Sequence, residues 1–210
     1  MTKSVSEKRG ARRLDPEVRK QMILDKAALV VGAEGVAAAT MDRISREAEV
    51  SKALVYAYFP NVTVLLQELL LRDQRRLWEE QASAVSAAKD FNDLIRLTTQ
   101  TYLIHVEKSG MHIPRLMSEP SVAVAFQEQE RARRQRVVDF LTKEMVHSQK
   151  VPRAIANLVV ELSLGMTGAA GELVSRGVVS RKKIEELLVC LYNGSIAALR
   201  DQYGQKLPPD

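Results

Sequence analysis

The stretch VSKALVYAYFPN, Val50 to Asn61, gathers two tyrosines, a phenylalanine and a lysine in a chain that is only 5% aromatic. Read as a short helix begun by Ser51 and ended before Pro60, it sets Val55 and Phe59 four residues apart on one face, where both can anchor in a core. Lys52, Ala53, Tyr56 and Ala57 then point away from that core. One cation, one phenol and two small side chains on a pinned helix form a face shaped for something bulky and polar.

Working outward, Thr40 can cap a helix over Met41 to Ala48, in which Met41, Ile44 and Ala48 repeat at three and four residues. Before it, a helix from about Pro16 to Gly32 suits a proline in its first turn and carries Met22, Ile23, Ala27, Val30 and Val31 on one stripe. GAEG stops it. Three short helices over 15–60, the last two joined by a tight turn, have the helix-turn-helix layout.

Longer helices follow. Asn61 can cap one bearing Leu65, Leu66, Leu69, Leu70, Leu77 and Trp78, and others are expected over about Phe91 to Lys108, Ser121 to His147, from Pro152 onward, and after Ser180. No segment alternates with period two, so the fold expected is all-α. The organisation expected is a basic arm (1–14), a helix-turn-helix domain (15–60), a long-helix domain for ligand binding and dimerisation (61–203), and a tail (204–210).

The 210 residues are 46% hydrophobic, enough to bury a real core. No run approaches the ~20 apolar residues of a membrane span, and the charged N-terminus has no apolar stretch for a signal peptide, so a cytoplasmic protein without membrane partners is expected. The net charge is +5, and residues 1–20 hold seven basic groups against three acidic ones. A basic arm ahead of a folded domain suits either a nucleic-acid tether, each cation releasing a counterion from phosphate, or a solvated tail. The single cysteine, Cys190, forms no internal disulfide and reads as a small buried hydrophobe.

TMDRISREAEVSKALVYAYFPN resembles the DNA-binding signature of the TetR family of transcriptional regulators. The resemblance is carried by Gly35, Thr40, Ile44 with Ser45, Ala48, Val50 with Ser51, and Tyr56, Tyr58 and Phe59. Beyond Leu70 the similarity is one of architecture. Two positions depart from the family pattern: Glu49 stands where the turn usually has glycine, costing on the order of 1 kcal/mol if φ is positive there. Val62 and Thr63 replace a usual lysine and acidic residue.

The resemblance implies a repressor's parts: an operator of double-stranded DNA, a small-molecule effector and a homodimer. In such a motif the second helix enters the major groove. Lys52 can then donate to guanine O6 and N7, Ala53, Leu54 and Ala57 can meet thymine methyls, and Tyr56 and Tyr58 can bond phosphates. Ser51 caps that helix, while Thr40 with its helix-start amides, and Arg43 one turn on, suit another phosphate.

For the effector, the resemblance implies a pocket enclosed by the helices bearing Trp78, Tyr102, His105, Phe126 and Met166, with Met117 beneath. Arg133 lies on an apolar stripe of Val122, Phe126, Val137 and Leu141, and either pairs with Glu130 or another carboxylate or awaits an anionic, lipophilic ligand. The dimer interface is expected on the last two helices. On the first of these, Ile155, Val159, Leu162, Met166, Ala169 and Leu173 form a stripe, with Gly165 among the glycines allowing close approach. On the second, Ile184, Leu187, Leu188 and Leu191 line one side; the alternative is that both stripes serve the protomer's own core.

Rival classes have little to stand on. His105, His112 and His147 show no metal-ligand spacing, and there is no GxGxxG or P-loop, so no enzyme, metal or cofactor is expected. An all-helical adaptor that binds only protein would not need a capped helical trio with a basic arm.

Overall fold

The computed structural model describes residues 15–204. The expected basic arm, 1–14, lies outside the described residues, as does the tail beyond Gly204. Among the described residues the chain forms α1 (Pro16–Glu34), α2 (Met41–Glu47), α3 (Lys52–Tyr58), α4 (Val62–Ala87), α5 (Phe91–Ser109), α6 (His112–Met117), α7 (Pro120–Gln149), α8 (Arg153–Ser175) and α9 (Arg181–Tyr203), with one 3-10 turn at Val36–Ala38.

Most helix starts follow from side-chain caps. Thr40, Ser51, Asn61 and Asp90 each accept the amide hydrogen three residues on, at 3.1, 3.2, 2.9 and 2.8 Å. Each such bond satisfies an amide the helix leaves unpaired, worth about 1 kcal/mol. Pro16 and Pro120 occupy first-turn positions, where a missing amide hydrogen costs nothing. The segment around Pro114, between the helices expected over Phe91 to Lys108 and Ser121 to His147, forms helix α6, whose six residues are too short to show periodicity in the sequence.

A first core joins α1, α2 and α3 to the long helices. Ile23, Val31, Ile44, Val55 and Phe59 are fully buried against Leu65, Leu69 and Leu70 of α4, and the cluster runs on to Leu116 of α6 and to Val122 and Phe126 of α7. The three-helix unit and the long-helix part thus share one core across Pro60–Asn61. Two further clusters hold α5, α8 and α9 together, one of them with α7. Cys190, expected inside, is exposed on α9, because Leu188 and Tyr192 on either side of it take the inward positions.

Charge is buried at the joint between the two halves. Arg72 of α4 donates to Asp73 at 2.9 Å and to Asp25 of α1 at 2.7 Å, and His112 of α6 lies 2.6 Å from the other oxygen of Asp73. Arg115 of α6 donates to the carbonyls of Val31 and Gly32 at the end of α1, both at 2.8 Å. Burial raises the Asp73 pKa, but the His112 hydrogen bond and the Arg72 charge outweigh it and hold the carboxyl below the usual carboxylate range.

Candidate nucleic-acid interface and ligand cleft

The turn between α2 and α3 passes through Glu49, whose φ of 54° is left-handed. A side chain is strained there, in agreement with the family's usual glycine. The turn is fixed by the Val50 amide donating to the Ser45 carbonyl at 3.0 Å. Val55 and Phe59 are buried to the last atom, so α3 is held by two anchors a turn apart. Its outer face consists of Lys52, Ala53, Tyr56 and Ala57, all exposed, with Leu54 and Tyr58 half-buried at the edges.

Around this face the cations are already engaged. Lys52 Nζ is 2.8 Å from an Asp42 carboxylate oxygen, and the Asp42 pKa falls through that hydrogen bond first and the lysine's charge second. Arg43 bridges Glu47 at 2.9 Å and Glu34 at 2.8 Å. Such exposed pairs are worth little and exchange readily for phosphate or a base edge. Thr40 spends its hydroxyl oxygen on the Arg43 amide, leaving its O–H free to donate outward.

In the long-helix part, a cleft of about 460 Å³ opens between α4, α5, α6 and α8. Gln74 and Leu77 form one wall and Tyr102, His105 and Val106 another. Met111, Ile113 and Pro114 line the third, and Gly168, Gly171, Glu172 and Arg176 the fourth. Gly171 is required by Tyr102: a Cβ there would sit 2.7 Å from the phenol oxygen. Burial raises the Tyr102 pKa, keeping the phenol protonated. Burial also lowers the His105 pKa, against the pull of Glu80, whose carboxylate lies 3.4 Å from Nδ1; Nε2 is buried without a partner among the described residues.

Of the residues expected in a pocket, Tyr102 and His105 line this cleft and the others do not. Phe126 is in the first core, and Trp78 packs against the same core, because α7 crosses α4 there. Arg133 stacks on Trp78, its guanidinium carbon 3.6 Å from the ring centroid. Neither an ion pair with Glu130 nor a place in the cleft describes it: a flat aromatic face holds the cation. Met117 and Met166 are partly exposed, Met117 at the end of α6 and Met166 on the outer side of α8. The sequence offered one signal for the buried charges: Arg72 and Asp73 continue the phase of Leu65 and Leu69, which is the buried side of α4.

The expected pairing surface divides into two sets. Leu162, Gly165, Met166, Ala169 and Leu173 are exposed on α8, and Leu187 and Leu191 on α9. Ile184 and Leu188 are buried in the protomer's own core and Ile155 and Val159 pack against it, so these four are corrected from interface to core. Although the sequence has no unbroken apolar run of membrane length, α8 is long and apolar enough to cross one by length and composition. Its apolar residues split between the core and this outer stripe, as for a helix that packs on both sides.

Comparison with known proteins agrees with the architecture. Residues 23–69, covering the end of α1 through the start of α4, match the family described as bacterial regulatory proteins, tetR family. Among solved structures, a TetR-like transcriptional regulator from Rhodococcus sp. RHA1 is 25% identical with a TM-score of 0.72, over 88% of this chain and 99% of that one. The fatty acid degradation regulator FadR from Bacillus halodurans is 16% identical with a TM-score of 0.66, over 85% and 97%. A putative transcriptional regulator from Saccharomonospora viridis in complex with choline is 15% identical with a TM-score of 0.65, over 83% and 94%. No curated protein sequence matches.

Proposed function

We propose that the chain, whose residues 23–69 match the tetR family of bacterial regulatory proteins, represses transcription as a homodimer on a near-palindromic operator and leaves the DNA when a small molecule fills the cleft. The observation that carries this is the outer face of α3, where Lys52, Ala53, Tyr56 and Ala57 stand clear of a helix locked by Val55 and Phe59. In the groove, Lys52 releases Asp42 for guanine O6 and N7, while Ala53, Leu54 and Ala57 reach thymine methyls. Tyr56, Tyr58, Arg43, Thr40 and the arm at 1–14 hold phosphates, positioning without specifying. The protein acts in the cytoplasm and as a regulator, not an enzyme.

The exposed stripes of α8 and α9 pair two copies about a two-fold axis, setting two α3 helices about one DNA turn, or ~34 to 36 Å, or a multiple of it, apart. Signalling runs through α6. That helix presents Ile113 and Pro114 to the cleft and, through His112 and Arg115, grips α4 and the end of α1. A ligand that displaces α6 therefore displaces α1, against which α2 packs, and α3 follows through its contact with α2. To move the population from 99:1 to 1:99 it must favour one arrangement by ~5.5 kcal/mol.

The test is selection from a random duplex library with the full chain. A two-fold symmetric motif is expected; recovery of unrelated sequences would refute operator recognition.

A further inference from the structure

The cleft's wall chemistry points to the class of molecule it takes. This inference rests on reading the cleft as the effector site. Its lining contains two charged side chains, Glu172 and Arg176, which pair with each other at 3.3 Å on exposed positions at the end of α8 and just beyond it. The nearest histidine, His105, is held neutral by burial. Arg133, the cation that an anionic ligand would have sought, is stacked on Trp78 outside the cleft.

The remaining inner surface is chiefly apolar, from Leu77, Val106, Met111 and Ile113, with uncharged hydrogen-bonding groups at Tyr102, Gln74 and His105, whose Nε2 is buried without a partner among the described residues. The Tyr102 phenol sits against the Gly171 backbone and makes no hydrogen bond to the described residues. A half-buried hydroxyl without a protein partner is free to donate to an acceptor that enters the cleft in place of water. Past the exposed Glu172–Arg176 pair the inner wall carries no charged side chain, so an ion moving in beyond that pair loses its water with no opposite charge to replace it, whereas a neutral molecule loses little.

We propose that the effector is an uncharged, largely apolar molecule whose carbonyl-type oxygen accepts a hydrogen bond from Tyr102. Neither a carboxylate nor a quaternary ammonium is matched by this cleft.

The test uses isothermal titration calorimetry on the full chain at pH 7.5. Decyl, 4-phenylbutyl and 2-naphthyl skeletons are each supplied as a primary amide, a carboxylate and an ammonium, with selected-duplex binding measured in the same preparation. At least one amide is expected to bind, each binding amide at least about ten-fold tighter than its charged counterparts. Tyr102→Phe, which keeps the ring beside Gly171, should weaken the amide about five-fold. Gly168→Leu should abolish its binding, since nothing lies within 4 Å of an added Cβ there and the side chain would enter the cleft. Equal or tighter binding of a carboxylate or ammonium overturns the proposal, as does amide binding indifferent to both substitutions. Failure of all nine probes overturns it too. Where such failure accompanies intact duplex binding, the effector class is wrong and the regulator reading stands; where duplex binding is also lost, both fall.

Discussion

His112 Nε2 of α6 lies 2.6 Å from Oδ2 of Asp73 on α4, inside the protein, and the other oxygen of Asp73 accepts from Arg72. Arg72 in turn reaches Asp25 of α1, so three helices are tied through one buried carboxylate. Asp73→Asn should cost about 3 kcal/mol by urea denaturation, because it leaves the Arg72 charge buried and under-compensated. A loss below about 1 kcal/mol would show the network to be peripheral.

His112→Phe and Arg115→Met separate coupling from binding. Both should retain affinity for a selected duplex and for a neutral probe, yet weaken the probe's ability to release DNA, measured by fluorescence anisotropy at increasing probe concentration. Unchanged release would place signalling outside α6.

The pH response has a definite sign. His105 has a folded pKa below its ordinary value of 6.5, so the unfolded chain takes up protons first as the pH falls. Stability should therefore decline below about pH 6.5, and His105→Gln should flatten that part of the melting-temperature curve. Asp73, also depressed, contributes stability that is present above the usual carboxylate range and lost on acidification through its lowered pKa. That second loss should vanish in Asp73→Asn.

Glu49→Gly removes a side chain from a residue with φ of 54° and should raise stability by about 1 kcal/mol, read as a shift of the urea midpoint at constant slope. Destabilisation would mean that the Glu49 side chain makes a contribution larger than its backbone strain.

On the outer stripe, Leu162 is 73% exposed, and Leu162→Glu or Leu191→Glu should yield a folded monomer by sedimentation. Leu188, only 2% exposed, behaves differently: Leu188→Glu should unfold the chain. A folded dimer of Leu162→Glu at low micromolar concentration would move the interface elsewhere.

Local chemistry was readable and long-range assembly was not. Ser51, Asn61 and Thr40 are capping residues at the heads of apolar repeats, so the helix-turn-helix and its outer face follow from a few neighbouring positions. Leu187 and Leu188 are adjacent and equally apolar, yet one faces out and the other in, because only the packing of α9 on α5 and α8 fixes its rotation. The cleft is built from residues as far apart as Gln74 and Arg176 and depends on the unrecognised helix α6. Arg133 stands out on its apolar stripe in the sequence, but its partner, Trp78, is an aromatic ring on another helix, which periodicity on α7 does not name.

Guanine methylation interference on the selected duplex tests most directly the claim that α3 reads bases through Lys52. In the unmodified protein, N7 methylation of one guanine in each half-site should block binding, since Lys52 donates to that atom. With Lys52→Ala, overall affinity should fall and the block at that guanine should disappear while phosphate contacts persist. An interference pattern identical in the two proteins would contradict base reading by this helix.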